Sequence, residues 1–171
     1  FKQKEKKIVQ EKRFQGLFDT SPIGMSLVSP EGKWLKVNKS LAKILGYPQS
    51  ELLQKTFQEI THPDDLDDDV HKVHQMLKGD ITNYQIEKRY IHKDESIVWV
   101  VLGVSLVNDT DGKPLYFVSQ VLDVTKQKEY ETKLAERDKQ FQLITEIVGE
   151  VFWMSTPGIA EMIYVSPSYE K

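Results

Sequence analysis

The sequence predicts an α+β domain built on one antiparallel sheet, and three observations carry that expectation. Two short β runs at 24–28 and 34–37 flank Pro30-Glu31-Gly32, a turn-forming triplet, so the pair reads as a hairpin. Residues 38–77 then carry helix signals with little β patterning. The chain returns to β for three consecutive runs at 84–92, 97–107 and 115–124. Strands gathered at the two ends, with helices between them, favour a meander over the strand–helix alternation of a parallel sheet.

The elements follow in order. Residues 1–13 hold six basic and two acidic side chains and no Gly or Pro, which predicts a helical arm. Phe14, Leu17 and Phe18 continue at helical spacing until Ser21-Pro22, because the residue before a proline leaves the helical region. Asn38 is placed to cap a helix over 40–45 that stops at Gly46, and 50–53 reads as a further short helix. Between residues 64 and 77, Leu66, Val70, Val73, Met76 and Leu77 recur at one-sided spacing behind an Asp-rich first turn, the sign that a helix dipole favours. Along 84–92, Tyr84, Ile86, Lys88, Tyr90 and His92 share one strand face. Residues 125–148 lack Gly and Pro, and Tyr130, Leu134, Arg137, Phe141, Ile144 and Val148 form a near-heptad seam interrupted by Arg137. A coiled-coil partner and a solvated connector both suit that helix.

Composition narrows the functions. The 171 residues carry a net charge of −3, so no strongly basic face is available for nucleic acid. With no cysteine, disulfides, thiolate catalysis and cysteine–zinc sites are excluded. No apolar run reaches the roughly 20 residues of a membrane span and no signal-peptide pattern opens the sequence, so the expectation is a soluble, cytoplasmic segment. No phosphate-cradling glycine loop, nucleophile elbow or zinc-protease motif is present, and no catalytic residue is assigned. Asp67 to Asp69 lack an evident neighbour that would separate their pKa values, which argues against paired acid–base work.

The end of the chain repeats its beginning. Phe14-Gln15 recurs as Phe141-Gln142, an offset of 127, each time after a charged helical stretch. Gly24-Met25-Ser26-Leu27 then aligns with Val151-Phe152-Trp153-Met154 and, after one inserted residue, Val37-Asn38-Lys39-Ser40 with Val165-Ser166-Pro167-Ser168. Such self-similarity predicts tandem copies of one module, the second without its meander, in a longer chain.

Over residues 14–125 the sequence resembles the PAS family of sensory domains. The resemblance rests on the joint order of SPIGMSLVSPEG, VNKSLAKILGY, SELL, ITHPDD, EKRYIHKDESIVWV, NDTDGKPLYFVSQ and LDVTKQK. It implies the PAS fold: a five-stranded antiparallel sheet with short helices on one face, flanked by N- and C-terminal helices. The implied organisation is a helical arm at 1–13, a PAS domain at 14–125, a helical linker at 126–140 and the start of a second PAS domain at 141–171. It further implies a sensor in a multidomain signalling protein of the histidine kinase or diguanylate cyclase/phosphodiesterase type. The remaining implications are a homodimer through the N-terminal and linker helices, and an output domain elsewhere in the parent chain.

The resemblance also directs attention to a cavity between sheet and helices. If Val121 faces it, strand parity brings Phe117 and Ser119 to the same side, with Met25, Leu27, His74, Tyr84 and Ile86 expected across from them. This mostly apolar set suits a small organic ligand and equally suits a filled core. Some relatives hold haem through a histidine on the helix carrying His71 and His74, the latter flanked by apolar residues. Core or surface histidines remain the preferred account, with no cofactor or metal assigned. Flavin photochemistry is disfavoured: the adduct cysteine is missing, and Gln120 lies one step from the position that the light-sensing branch uses, that of Val121. A redox-sensing FAD stacked by Trp34 and Tyr84 is the weaker alternative, as a ligand-free dimerisation spacer is to sensing. His62-Pro63-Asp64-Asp65 reads as a helix lead-in rather than a metal site. At the end of the last strand, Asp123 can accept from the first helical amides and Thr125 can cap; in the family this DVT element joins the sensory core to the helix that carries the signal.

Overall fold

The computed structural model describes residues 2–148, 153–155 and 162–165. Two compact units are present, Phe1–Thr125 and Lys126–Lys171. In the first, the elements are α1 (Lys2–Thr20), β1 (Gly24–Val28), β2 (Trp34–Val37), α2 (Lys39–Leu45), α3 (Gln49–Leu52), α4 (Phe57–Ile60), α5 (Pro63–Lys78), β3 (Asn83–Ile91), β4 (Ile97–Asn108) and β5 (Pro114–Asp123). The five strands form one antiparallel sheet in the order β2-β1-β5-β4-β3, so the expected hairpin and meander meet where β1 pairs with β5.

Capping chemistry sets the helix boundaries. Asn38 precedes α2, and its fully buried amide uses every hydrogen-bonding position: Oδ1 accepts from the backbone N–H groups of Leu41 and Met25, each at 2.9 Å, and Nδ2 donates to the carbonyls of Phe18 at 2.9 Å and Ile23 at 3.0 Å. One side chain thereby ties the end of α1, the start of β1 and the start of α2 together. Gly46 closes α2 at φ 74°, beneath the His92 ring, a place where a Cβ would be both strained and obstructed. His62 caps α5 by accepting from the Asp64 N–H at 3.3 Å, and Pro63 opens the helix. Arg89 then clamps that first turn to β3: Asp65 accepts from its backbone N–H at 2.7 Å, from Nε at 2.9 Å and from an Nη at 2.7 Å.

The helical spacing expected through Phe18 is met by one unbroken helix, α1, which buries Phe18 while Leu17 stays exposed. The helix α4 is not among the elements that the sequence predicts. Its signal is the capping box Thr56-x-x-Glu59, in which the Glu59 carboxylate takes the Thr56 backbone N–H at 2.6 Å.

The core lies on one face of the sheet, under α2 to α5. Alternation along each strand decides which residues reach it: Ser26 and Val28 on β1, Tyr84, Lys88 and Tyr90 on β3, Val100, Leu102 and Val104 on β4, and Phe117, Ser119 and Val121 on β5 are buried. The second unit contains nearly all of α6 (Thr125–Val148), followed by a small antiparallel hairpin of β6 (Trp153–Ser155) and β7 (Met162–Val165). Among the described residues no helix is long and apolar enough to cross a membrane.

Candidate functional site

Between the sheet and α4 and α5 the side chains leave a cavity of about 20 Å³, room for about one water molecule. Its apolar wall includes Val28, Phe57, Val73, Leu102, Val104 and Phe117. Trp34, Asp69, Tyr84, Tyr90 and Ser119 complete the lining.

Among the residues expected at this cavity, Tyr84, Phe117 and Ser119 line it. Val121 faces the same side but is buried against Gly24, away from the lining, and Ile86 packs on the core from a partly buried position. Met25 and Leu27 do not reach it: β1 buries Gly24, Ser26 and Val28, which turns the two larger side chains to the opposite face of the sheet. Close packing is the physical reason, since a Cβ at Gly24 would come within 3.0–3.2 Å of Leu41 and Val121. His74 is exposed, as is His71, and Val73 takes the inward position between them. Neither histidine is placed to ligate a group in the cavity. Gln120 is exposed on the outer face, as its one-step offset from Val121 predicts.

Sequence reasoning missed the polar centre beneath the cavity. The Asp69 carboxylate and Lys88 ammonium form an ion pair with both side chains 1% exposed. Asp69 also accepts from the Tyr84 hydroxyl at 2.7 Å, and Lys88 donates to Thr61 Oγ1 at 3.0 Å. The Lys88 ammonium lies 4.0 Å from the centroid of the Tyr90 ring and 5.2 Å from that of Phe57. Burial pushes the Lys88 pKa down against the opposing pull of Asp69, and burial together with the Asp69 charge pushes the Tyr84 and Tyr90 phenols up. The available signal was parity: the expected β3 face already included Lys88, and an inward lysine requires a carboxylate partner.

Ser26 and Ser119 are cross-strand partners whose hydroxyls hydrogen-bond to each other. Trp34 is 2% exposed, and its indole N–H has no hydrogen-bond partner among the described residues.

A second constellation lies where the sheet meets α6. Trp99 on β4 accepts from the Val124 N–H at 2.9 Å and donates its own N–H to Thr125 Oγ1 at 3.0 Å. The Asp123 carboxylate accepts from the Thr125 N–H at 2.9 Å, as expected of a residue next to the first helical amide. Thr125 thus bonds across to β4, beyond the local capping expected of it. The Arg89 guanidinium stands 5.3 Å over the Trp99 ring, which connects the clamp on α5 to the strand that holds Thr125.

Comparison with known proteins is consistent with this architecture. The family profile described as PAS fold matches residues 35–121, about half of the chain. The chain is 41% identical over 143 residues, 84% of its length, to the probable diguanylate cyclase DgcE of Escherichia coli. It is 23% identical over 130 residues, 76% of its length, to the sensor histidine kinase TmoS of Ectopseudomonas mendocina. The matched region spans only 13% of each of those proteins. Among solved structures, the PAS domain of a Colwellia psychrerythraea protein is similar at TM-score 0.62 and 18% identity, covering 67% of this chain and 97% of that one. The PAS domain of an HTR-like protein from Haloarcula marismortui gives TM-score 0.58 and 25% identity, covering 72% and 99%. Sheet order, helix placement and family match agree: the chain belongs to the PAS fold family.

Proposed function

We propose that residues 14–125 are a sensor module of a multidomain, cytoplasmic signal-transduction protein whose output is of the diguanylate cyclase or histidine kinase type. The module has no catalytic role of its own. It responds to a small ligand or partner and passes the change through Asp123-Val124-Thr125 into α6. The observation that carries this reading is the bonding of Trp99 to Val124 and Thr125, which makes the start of α6 part of the sheet's hydrogen-bond network. A strand displacement there changes the bonds that fix the first turn of the helix. A ligand drives such a displacement only if it binds the two states with different affinity.

The exposed seam of α6, with Tyr130, Leu134, Phe141 and Ile144 on the surface, supports pairing with the same helix of a second copy. The register of the second hairpin supports a second module beginning near residue 141. Trp153 pairs with Val165, Met154 with Tyr164 and Ser155 with Met162, and these are the repeat equivalents of Ser26 with Val37, Leu27 with Lys36 and Val28 with Trp34. Even the register shift recurs at the equivalent step. Haem and FAD are not part of the proposal: the cavity is far smaller than either ring system, and the candidate histidines point to solvent.

Replacing Asp123 by Ala in the full-length parent tests the relay. The expected result is an output that no longer responds to input while the sensor core melts as a folded domain. Wild-type regulation in that variant would refute the relay.

A further inference from the structure

Gly103 sits in the interior of β4, a strand paired on both sides, and neither backbone nor packing accounts for it. Its φ lies outside the left-handed region, and a Cβ built there meets nothing within 4 Å. Glycine weakens a strand interior and, where no turn or bulge needs it, marks a place where something else comes close to the backbone. The register supplies the surroundings. Gln85 on β3 and Gln120 on β5 flank Gly103 in one cross-strand row, and Asn83, Ser105 and Val118 form the next. All of them lie on the outer face, opposite the core. They line a hollow of about 220 Å³, against about 20 Å³ for the cavity inside the core. The lining holds no charged side chain. The Gln85 and Gln120 amides and the Ser105 hydroxyl make no hydrogen bond among the described residues, so their donors and acceptors are open to an occupant.

We infer that this hollow binds a planar, uncharged cyclic amide, lying over the Gly103 backbone with its N–H and C=O edges on the Gln85 and Gln120 amides. This deepens the sensor reading above and rests on it for the ligand's role. The two glutamines start two strand spacings apart, roughly 10 Å between Cα atoms, so one ring fits between their amides. A primary amide offers a donor beside an acceptor, and an N–H next to a C=O on a ring edge matches both at once. Ser105 adds a hydroxyl that can give or take a further bond. An ion finds no counter-charge in the lining. A ring on this row touches β3, β4 and β5 together. Gln120 precedes Asp123 on β5, and β4 carries Trp99, whose backbone holds Val124 and Thr125. Occupancy thereby bears on the two strands that meet the start of α6.

The test uses two probes that share a ring, uracil and its doubly N-methylated form, of which only the first keeps its N–H donors. Each is titrated into the ¹⁵N-labelled 171-residue chain. Uracil is expected to shift the Gly103 backbone signal and the Gln85 and Gln120 side-chain amide signals. It is expected to bind about tenfold more tightly than the methylated probe, the equivalent of one hydrogen bond. Gly103→Val fills the hollow from a position where a Cβ meets no neighbour. That variant is expected to keep or raise the melting temperature, as a β-branched residue suits a strand, and to weaken uracil binding by about tenfold or more. No shift at these residues with either probe, equal affinity for both, or undiminished binding to Gly103→Val would overturn the assignment. So would a Gly103→Val chain that sediments as a monomer where the wild type is a dimer, with uracil binding neither, the mark of a face covered by a second copy. If Gly103→Val does not fold, Gly103→Ala and the wild-type comparison of the two probes decide. The Asp123→Ala experiment in the parent uses no probe, so the binding site and the relay can fail separately.

Discussion

Asp69 and Lys88 meet as an ion pair at the centre of the PAS core, each side chain 1% exposed and each holding a further hydrogen bond, to Tyr84 and Thr61 respectively. Removing one member leaves an uncompensated charge or an orphaned polar group in an apolar interior, so Lys88→Met is expected to destabilise the fold by about 3–5 kcal/mol. In Asp69→Asn/Lys88→Met the amide can still accept from Tyr84 and no unpaired charge is buried. The double variant is expected to lose clearly less than the sum of the single losses. Urea unfolding of the three variants checks this, and additive losses would contradict it.

The Arg89 clamp on α5 predicts an acid limb of stability. Hydrogen bonds from Arg89 hold the Asp65 carboxyl below the ordinary carboxylate range. A carboxylate whose pKa is lower folded than unfolded contributes stability above the unfolded value of about 4, and that contribution fades as pH falls through the folded value. Asp65→Asn is expected to cost about 1–2 kcal/mol at neutral pH and much less in strong acid. Unfolding free energies measured from pH 7 down to pH 2 should therefore converge for wild type and variant. A constant gap across that range would rule out the linkage.

The α6 seam makes a prediction about assembly. Leu134 and Ile144 are 60% and 58% exposed in the single chain, and each lies on the near-heptad stripe. Leu134→Glu/Ile144→Glu is expected to shift sedimentation from dimer to monomer without lowering the melting temperature of the sensor core. A wild-type chain that sediments as a monomer at high micromolar concentration would exclude pairing through this seam.

Much of the fold was legible because it is written in local chemistry. The turn at Pro30 to Gly32, the Asn38 cap, the Gly46 stop and the alternation of β3 each predict their element from a few neighbouring residues. The site was less legible, because which face of β1 is buried depends on residues far away in sequence. Met25 and Leu27 look like core by hydropathy, yet the approach of α2 demands the smaller Gly24 and Ser26 inside. Asp69 reads as one of a solvated acidic run, and only the position of Lys88, nineteen residues on, shows it to be buried. His74 fails for a similar reason: on a helix, the neighbouring Val73 occupies the inward direction.

The central claim is that a change in this module leaves through the rotation or pairing of α6. The most direct measurement is the regulated output of the full-length parent after insertions behind Lys133, on the surface-exposed part of α6. Seven added residues restore the phase of a heptad seam, whereas two or five turn the helix by nearly half a turn relative to it. The account predicts that regulation survives the seven-residue insertion and is lost or inverted by the shorter ones. Wild-type regulation with two or five added residues would contradict it.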